Sequence, residues 1–171
     1  MNDAATFHDE RTGLRIVPAH PAHLRRIGAS MRHEDEREAR ALHGRSPHLA
    51  LEDALSVSKG TWYAEVHGKP LALFGYVPMK ETDEPRSAVV WMVGTEEISR
   101  SVRAIIVGTR WWLPQVMEGF PGGLGNVMDA GNLVHVRWMA KAGATFDPTR
   151  LIQRRGRYFV PFVLTPELLN V

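Results

Sequence analysis

The 171-residue sequence contains no cysteine. A disulfide scaffold, a thiolate nucleophile, a zinc ribbon and an iron–sulfur site are therefore excluded. No apolar run approaches the ~20 residues needed to span a bilayer. The N-terminus, MNDAATFHDERTG, is polar and mixed in charge, unlike a secretory signal. Net charge is also scarce: 21 basic against 19 acidic side chains leave +2, too little for a histone-like footprint, and the pI near 9.2 rests on this thin excess. His8, His20, His23, His33, His43 and His48 are dispersed, without the spacing of a metal site. What is present is ordinary for a soluble, intracellular-type domain: 44% apolar and 23% charged residues. A chain of this length is expected to bury roughly 68–70% of its unfolded surface. The expected organisation is a flexible segment over residues 1–12 and a single domain over 13–171.

Residues 14–19 read as a short strand stopped by Pro18, after which Pro21 opens a helix with Leu24, Ile27 and Met31 at helical spacing. HEDEREARALHG reads as a charged surface helix with Ala39 and Leu42 as a modest apolar face. Ser46 and Pro47 then start a helix whose core side holds Leu51, Leu55 and either Ala54 or Val57. At residue 61 the period changes from 3.6 to 2. TWYAEV and PLALFGYV form a hairpin around 67–69, 80–86 is a loop, and SAVVWMVGT is a doubly buried strand. The longest helix is expected from Glu96 towards Glu118, with Pro114 kinking or ending its last turn. A turn, the strand NVMDA, a helix over LVHVRWMAKAG and a closing hairpin around Gly156 complete the chain. This order is neither a doubly wound sheet nor a four-helix bundle.

The order of elements, and residues 126–146 in particular, resemble the GNAT acyltransferase fold. The class implied is α+β, an α/β sandwich with a mixed, mostly antiparallel central sheet flanked by helices. Two stretches further resemble the GNAT-like internal virion proteins of short-tailed bacteriophages. One is the strand end Trp91-Met92-Val93-Gly94-Thr95; the other is Asn132, Arg137, Trp138, Met139, Gly143, Ala144 and Phe146. That resemblance implies a location in the virion, or in the host cytoplasm during assembly or after ejection. It also implies partners among other virion proteins, whether portal, core or ejection proteins.

Acyltransferases of this fold hold the pyrophosphate of coenzyme A with a Q/R-x-x-G-x-G/A turn, whose bare N–H groups cradle the anion. The corresponding junction here, GTEEISRSVR, has Gly94 before the turn and Glu96 and Glu97 in the first helical turn. Those carboxylates satisfy the helix dipole themselves, by ~0.3–1 kcal/mol each, and repel a phosphate. The Tyr general acid that the resemblance places seven residues after the capping Asn is Met139, and the small residue three after it is His135. Loss of a positioned acid typically costs 10²–10⁴ in rate. The expectation is a catalytically degenerate virion protein with no cofactor. The alternative is an acetyl-CoA-dependent N-acetyltransferase acting on a host or phage amine. In that case Val93, Thr95, Asn132 and His135 are its cofactor-binding candidates, Thr95 and Asn132 otherwise being helix caps. No catalytic residue is assigned, although Asp129 is close enough in sequence to orient His135.

Charge is uneven along the chain: residues 1–99 sum to −3 and residues 100–171 to +5. Arg150, Arg154, Arg155 and Arg157 carry the excess, as a solvated hairpin tip or as an anion- or partner-binding edge. Nucleic-acid contact through that edge is the weakest of these readings, because so mild a charge carries little affinity. Trp62, Trp91, Trp112 and Trp138 are expected in the core or covering the sheet. Trp111 falls off the main helical stripe and marks either a contact surface or packing against a neighbouring hairpin.

Overall fold

Period-2 alternation begins earlier than expected. In the computed structural model, which describes residues 5–80 and 85–168, β1 (Phe7–Asp9) pairs antiparallel with β2 (Leu14–Pro18), Phe7 opposite Ile16. A strand thus lies within the segment expected to be flexible. Phe7 stacks on Trp111 at a centroid distance of 5.3 Å, which gives Trp111 an internal partner rather than a free surface. Three helices follow: α1 (Pro21–Gly28), α2 (His33–His43) and α3 (Pro47–Val57). α1 buries Leu24 and Ile27 as its spacing predicts, while Val57 of α3 is 61% exposed and Ala50 and Leu51 carry the burial.

The hairpin β3 (Gly60–Val66) and β4 (Lys69–Pro78) leads to β5 (Ser87–Gly94); the intervening loop lies partly outside the described residues. The expected long helix is broken. A four-residue turn, α4 (Glu97–Arg100), ends at Ser101, and α5 (Val102–Met117) starts afresh. The break resets the helical phase, so Val102 is 56% exposed, while Ala104, Trp112, Leu113, Val116 and Met117 are buried. Pro114 sits inside α5, whose end at Met117 follows it closely. Then come β6 (Gly123–Asp129), α6 (Leu133–Lys141), β7 (Thr145–Phe146), β8 (Ile152–Arg154) and β9 (Arg157–Leu164).

The strands make one nine-stranded sheet in the order β1-β2-β3-β4-β5-β6-β9-β7, with β8 also on β9. Every pairing is antiparallel except β5 with β6, giving the expected α+β class with a mixed, mostly antiparallel sheet. Alternation sends neighbouring aromatics to different cores. Trp62 joins Phe74, Trp112 and Leu124 in one cluster, and Tyr63 joins Leu24, Ile27 and Leu73 in the other. Each fully buried side chain of this kind contributes about 1.5–3 kcal/mol. Among the described residues no helix is long and apolar enough to cross a membrane.

Candidate functional site: a split between two parallel strands

β5 and β6 pair only at Ser87–Gly123, Ala88–Leu124 and Val89–Gly125. Beyond that point they part, and Asn126 Nδ2 spans the start of the gap by donating to the Val90 carbonyl at 2.7 Å. A cavity of about 430 Å³ occupies the gap. It extends under α2 and α3 on one face of the sheet and towards α5 and α6 on the other, with Leu42, Ala50, Val90, Trp112, Met139 and Phe162 among its walls. Met139, which stands where the resemblance calls for tyrosine, is buried there.

Alternation along an antiparallel ladder decides which backbone groups face the gap. Thr95 N donates to the Leu71 carbonyl at 3.0 Å, so Thr95 and Val93, which lies opposite Leu73, direct theirs towards β4. The Thr95 hydroxyl donates to the Pro70 carbonyl at 2.6 Å and accepts from Glu97 N at 3.2 Å, the cap expected of it. Gly94 faces the gap, and its groups are taken: its N–H donates to Asp35 Oδ2 at 2.7 Å, and its carbonyl accepts from Arg32 N at 3.0 Å.

These partners come from α2 and its N-cap, which the sequence marks as a solvated face. Asp35 and Glu38 turn inward instead. Arg32 (8% exposed) and Asp35 (7% exposed) form a buried ion pair, Nη2 to Oδ1 at 2.5 Å. Glu38 Oε1 accepts from Asp129 N at 3.2 Å. Burial raises the Glu38 carboxyl to about 7, against the hydrogen bond from Asp129 and with help from the nearby charges of Asp35 and Asp129. The signal was in the spacing: 35, 38, 39 and 42 share one helical face with the apolar pair Ala39 and Leu42.

Asn132 caps α6, its Oδ1 accepting from His135 N at 3.3 Å. His135 lies in the cavity wall, stacked on Trp138 at 5.3 Å. Burial lowers its pKa to about 4, opposed by Asp35 and aided by Arg32. His135 Nδ1 and Asn132 Nδ2 are buried without a hydrogen-bond partner. Asp129 does not orient His135. Its carboxylate accepts from Gly131 N at 2.9 Å and from Arg157 Nε at 2.6 Å.

The four arginines lie on or near the β8–β9 hairpin, Arg154 opposite Arg157, and have different partners. Arg157 is turned to Asp129, and Arg155 Nη1 donates to the Ala41 carbonyl at 2.9 Å, near the end of α2. Arg150 pairs with Asp147 at 3.3 Å, and Arg154 stays exposed beside the Gln153 carbonyl. The strand-to-helix junction does not fit the pyrophosphate of coenzyme A. Glu97 approaches Lys69 and Arg100 at 3.9 Å and accepts from Ser101 Oγ at 3.3 Å; Val102 and Arg103, not glycine, open α5. Among the described residues no cluster of three or more His, Asp or Glu is placed to hold a metal.

No family model matches the sequence, and no curated protein matches it. Solved structures do. A GCN5-related N-acetyltransferase from Brucella melitensis aligns with TM-score 0.64 and 14% identity over 95% of this chain and 79% of its own. The spermidine N-acetyltransferase of Vibrio cholerae, solved with CoA and spermine, gives 0.59 and 12% over 91% and 97%. The GNAT domain of S. lividans PAT gives 0.57 and 15% over 94% and 96%. At such identities the likeness is one of fold, and the fold of this chain is that of the GNAT N-acetyltransferases.

Proposed function

We propose that this chain uses the GNAT fold as a structural, partner-binding body rather than as an acetyltransferase, and that it is an internal protein of a short-tailed phage particle. The observation that carries the first part is the junction after β5. Gly94 is held by Asp35 and Arg32, and glutamates stand where an anion would be cradled. The particle location rests on the resemblance of Trp91–Thr95 and of Asn132–Phe146 to that family, and the partners it implies are portal, core or ejection proteins. Calorimetric titration with acetyl-CoA tests the first part, and a folded sample is expected to give no heat up to hundreds of micromolar. Saturable one-to-one heat overturns it. Mass spectrometry of purified particles tests the second, and absence of the chain from them overturns it.

One observation favours acetyl transfer to an amine as the second reading. Glu38, with a pKa of about 7 at the wall of the cleft, has the proton affinity suited to a general base near neutrality. The Vibrio cholerae neighbour, solved with CoA and spermine, has the kind of ligands this reading implies.

A further inference from the structure

α1 opens without an acid in its first turn, and two histidines do the capping instead. His20, the N-cap, accepts from Ala22 N on Nδ1 at 3.3 Å, and His23 Nδ1 reaches back to accept from His20 N at 3.1 Å. A ring nitrogen accepts only while it carries no hydrogen, so this geometry requires both imidazoles in the neutral Nε2–H form. The hydroxyl, carboxylate and amide side chains that usually make such a reciprocal cap stay acceptors in mild acid, and imidazoles do not. The surroundings also oppose a proton. Arg25 and Arg26 follow on α1, and Arg15 stands on β2. Glu65 of β3 is shared by Arg15 at 3.3 Å, Arg26 at 3.1 Å and the Tyr63 hydroxyl at 3.3 Å. β4 meets α1 with Leu73, its Lys69 approaching Glu97 instead. Near Gly28, α3 brings His48, which lies 3.3 Å from Glu52, and His67 of the β3–β4 turn lies over Gly13. Burial first, then Arg26 and His20, hold His23 below the usual histidine range, against the pull of Glu65.

We propose that the paired histidines are a pH-sensitive latch on α1: protonation of His20 and His23 releases the first turn, residues 21–23, and lifts the His23 ring from the Tyr63 ring beneath it. His20 is exposed and His23 half-buried, so protons reach both without unfolding. A proton on either Nδ1 sets N–H against N–H and adds positive charge at the positive end of the helix. The cap is complete above about 6.5, the ordinary imidazole value, and is lost as pH falls below it. Opening stops at the next turn. Arg26 ties that turn to Glu65 and to the Gly68 carbonyl at 2.7 Å, and Ile27 is fully buried. What opens is the face of Tyr63 that His23 covers, the two rings lying 4.0 Å apart and within 7° of parallel. The latch serves a structural body and an enzyme alike, so it rests on neither reading of the function.

NMR of the full chain tests this. At pH 8 both imidazoles are expected to show the Nε2–H tautomer. Between pH 8 and 5 the Cα secondary shifts of residues 21–23 are expected to fall by more than half, on one titration curve with the ring signals of His20 and His23, while those of Ile27 and α5 hold. His20→Ser combined with His23→Gln supplies the same two acceptors from side chains that do not titrate, and is expected to keep the turn helical at both pH values. A first turn still helical at pH 5 in the wild type overturns the proposal, as does an Nδ1–H tautomer at pH 8. These two outcomes decide it even if the double variant does not fold, and a folded double variant that loses the turn at the same pH overturns it too.

Discussion

Glu38 and His135 line the same cavity and answer pH in opposite senses. A carboxyl raised from 4.5 to about 7 by burial holds more protons in the folded than in the unfolded state between those values. Its stabilisation is complete below about 4.5 and is lost as pH rises through 7, at most about 3 kcal/mol. His135, lowered from 6.5 to about 4, stabilises above 6.5 relative to below it. The two offset one another between about 4.5 and 6.5, leaving the Glu38 loss alone above that window. Urea unfolding is therefore expected to show wild type losing stability between pH 6 and 8 relative to Glu38→Gln, whose amide oxygen still accepts from Asp129 N. The Arg32–Asp35 pair makes a second prediction. Asp35→Ala leaves Arg32 buried and unpaired and the Gly94 N–H unsatisfied, a loss of about 3–5 kcal/mol by the same assay.

The helices show what local chemistry decides and what it does not. Asn132 was readable as a cap, and its side chain does cap α6; Asn132→Ala is expected to cost about 1 kcal/mol in chemical denaturation. α1 was legible because Leu24 and Ile27 are apolar at helical spacing. α2 was legible as a helix, but the role of its inward carboxylates was not, because Asp35 and Glu38 are received by Gly94 and Asp129, far along the chain. The break at Ser101 had no glycine or proline to announce it; Thr95 caps the first turn, and a second helix begins after it. α2 is also fastened from outside itself. Arg155→Ala removes the guanidinium from the Ala41 carbonyl and is expected to speed amide exchange in the last turn of α2 while leaving α3 protected.

Across the molecule, the order of elements was legible from the change of period and the buried run of β5, and the fold was suggested by the resemblance of that order, and of residues 126–146, to a known one. The cavity was not, because it depends on where two parallel strands stop pairing, which no residue pattern encodes. The arginine excess likewise misleads when counted along the chain: Arg157 is paired with Asp129 and Arg150 with Asp147, so part of the charge is matched locally. Duplex DNA is accordingly expected to bind no tighter than the 10⁻⁴–10⁻⁶ M of non-specific contact at physiological salt, checked by fluorescence anisotropy. The fastenings of α2 also impose an order in time. Asp35 reaches Gly94 across 59 residues, Glu38 reaches Asp129 across 91, and Arg155 reaches back to Ala41 across 114. During synthesis, α2 emerges well before any of these receivers, and its inward carboxylates face water until most of the chain has left the ribosome. The helix is made early and placed late, so the cleft beneath it is among the last parts of the protein to close.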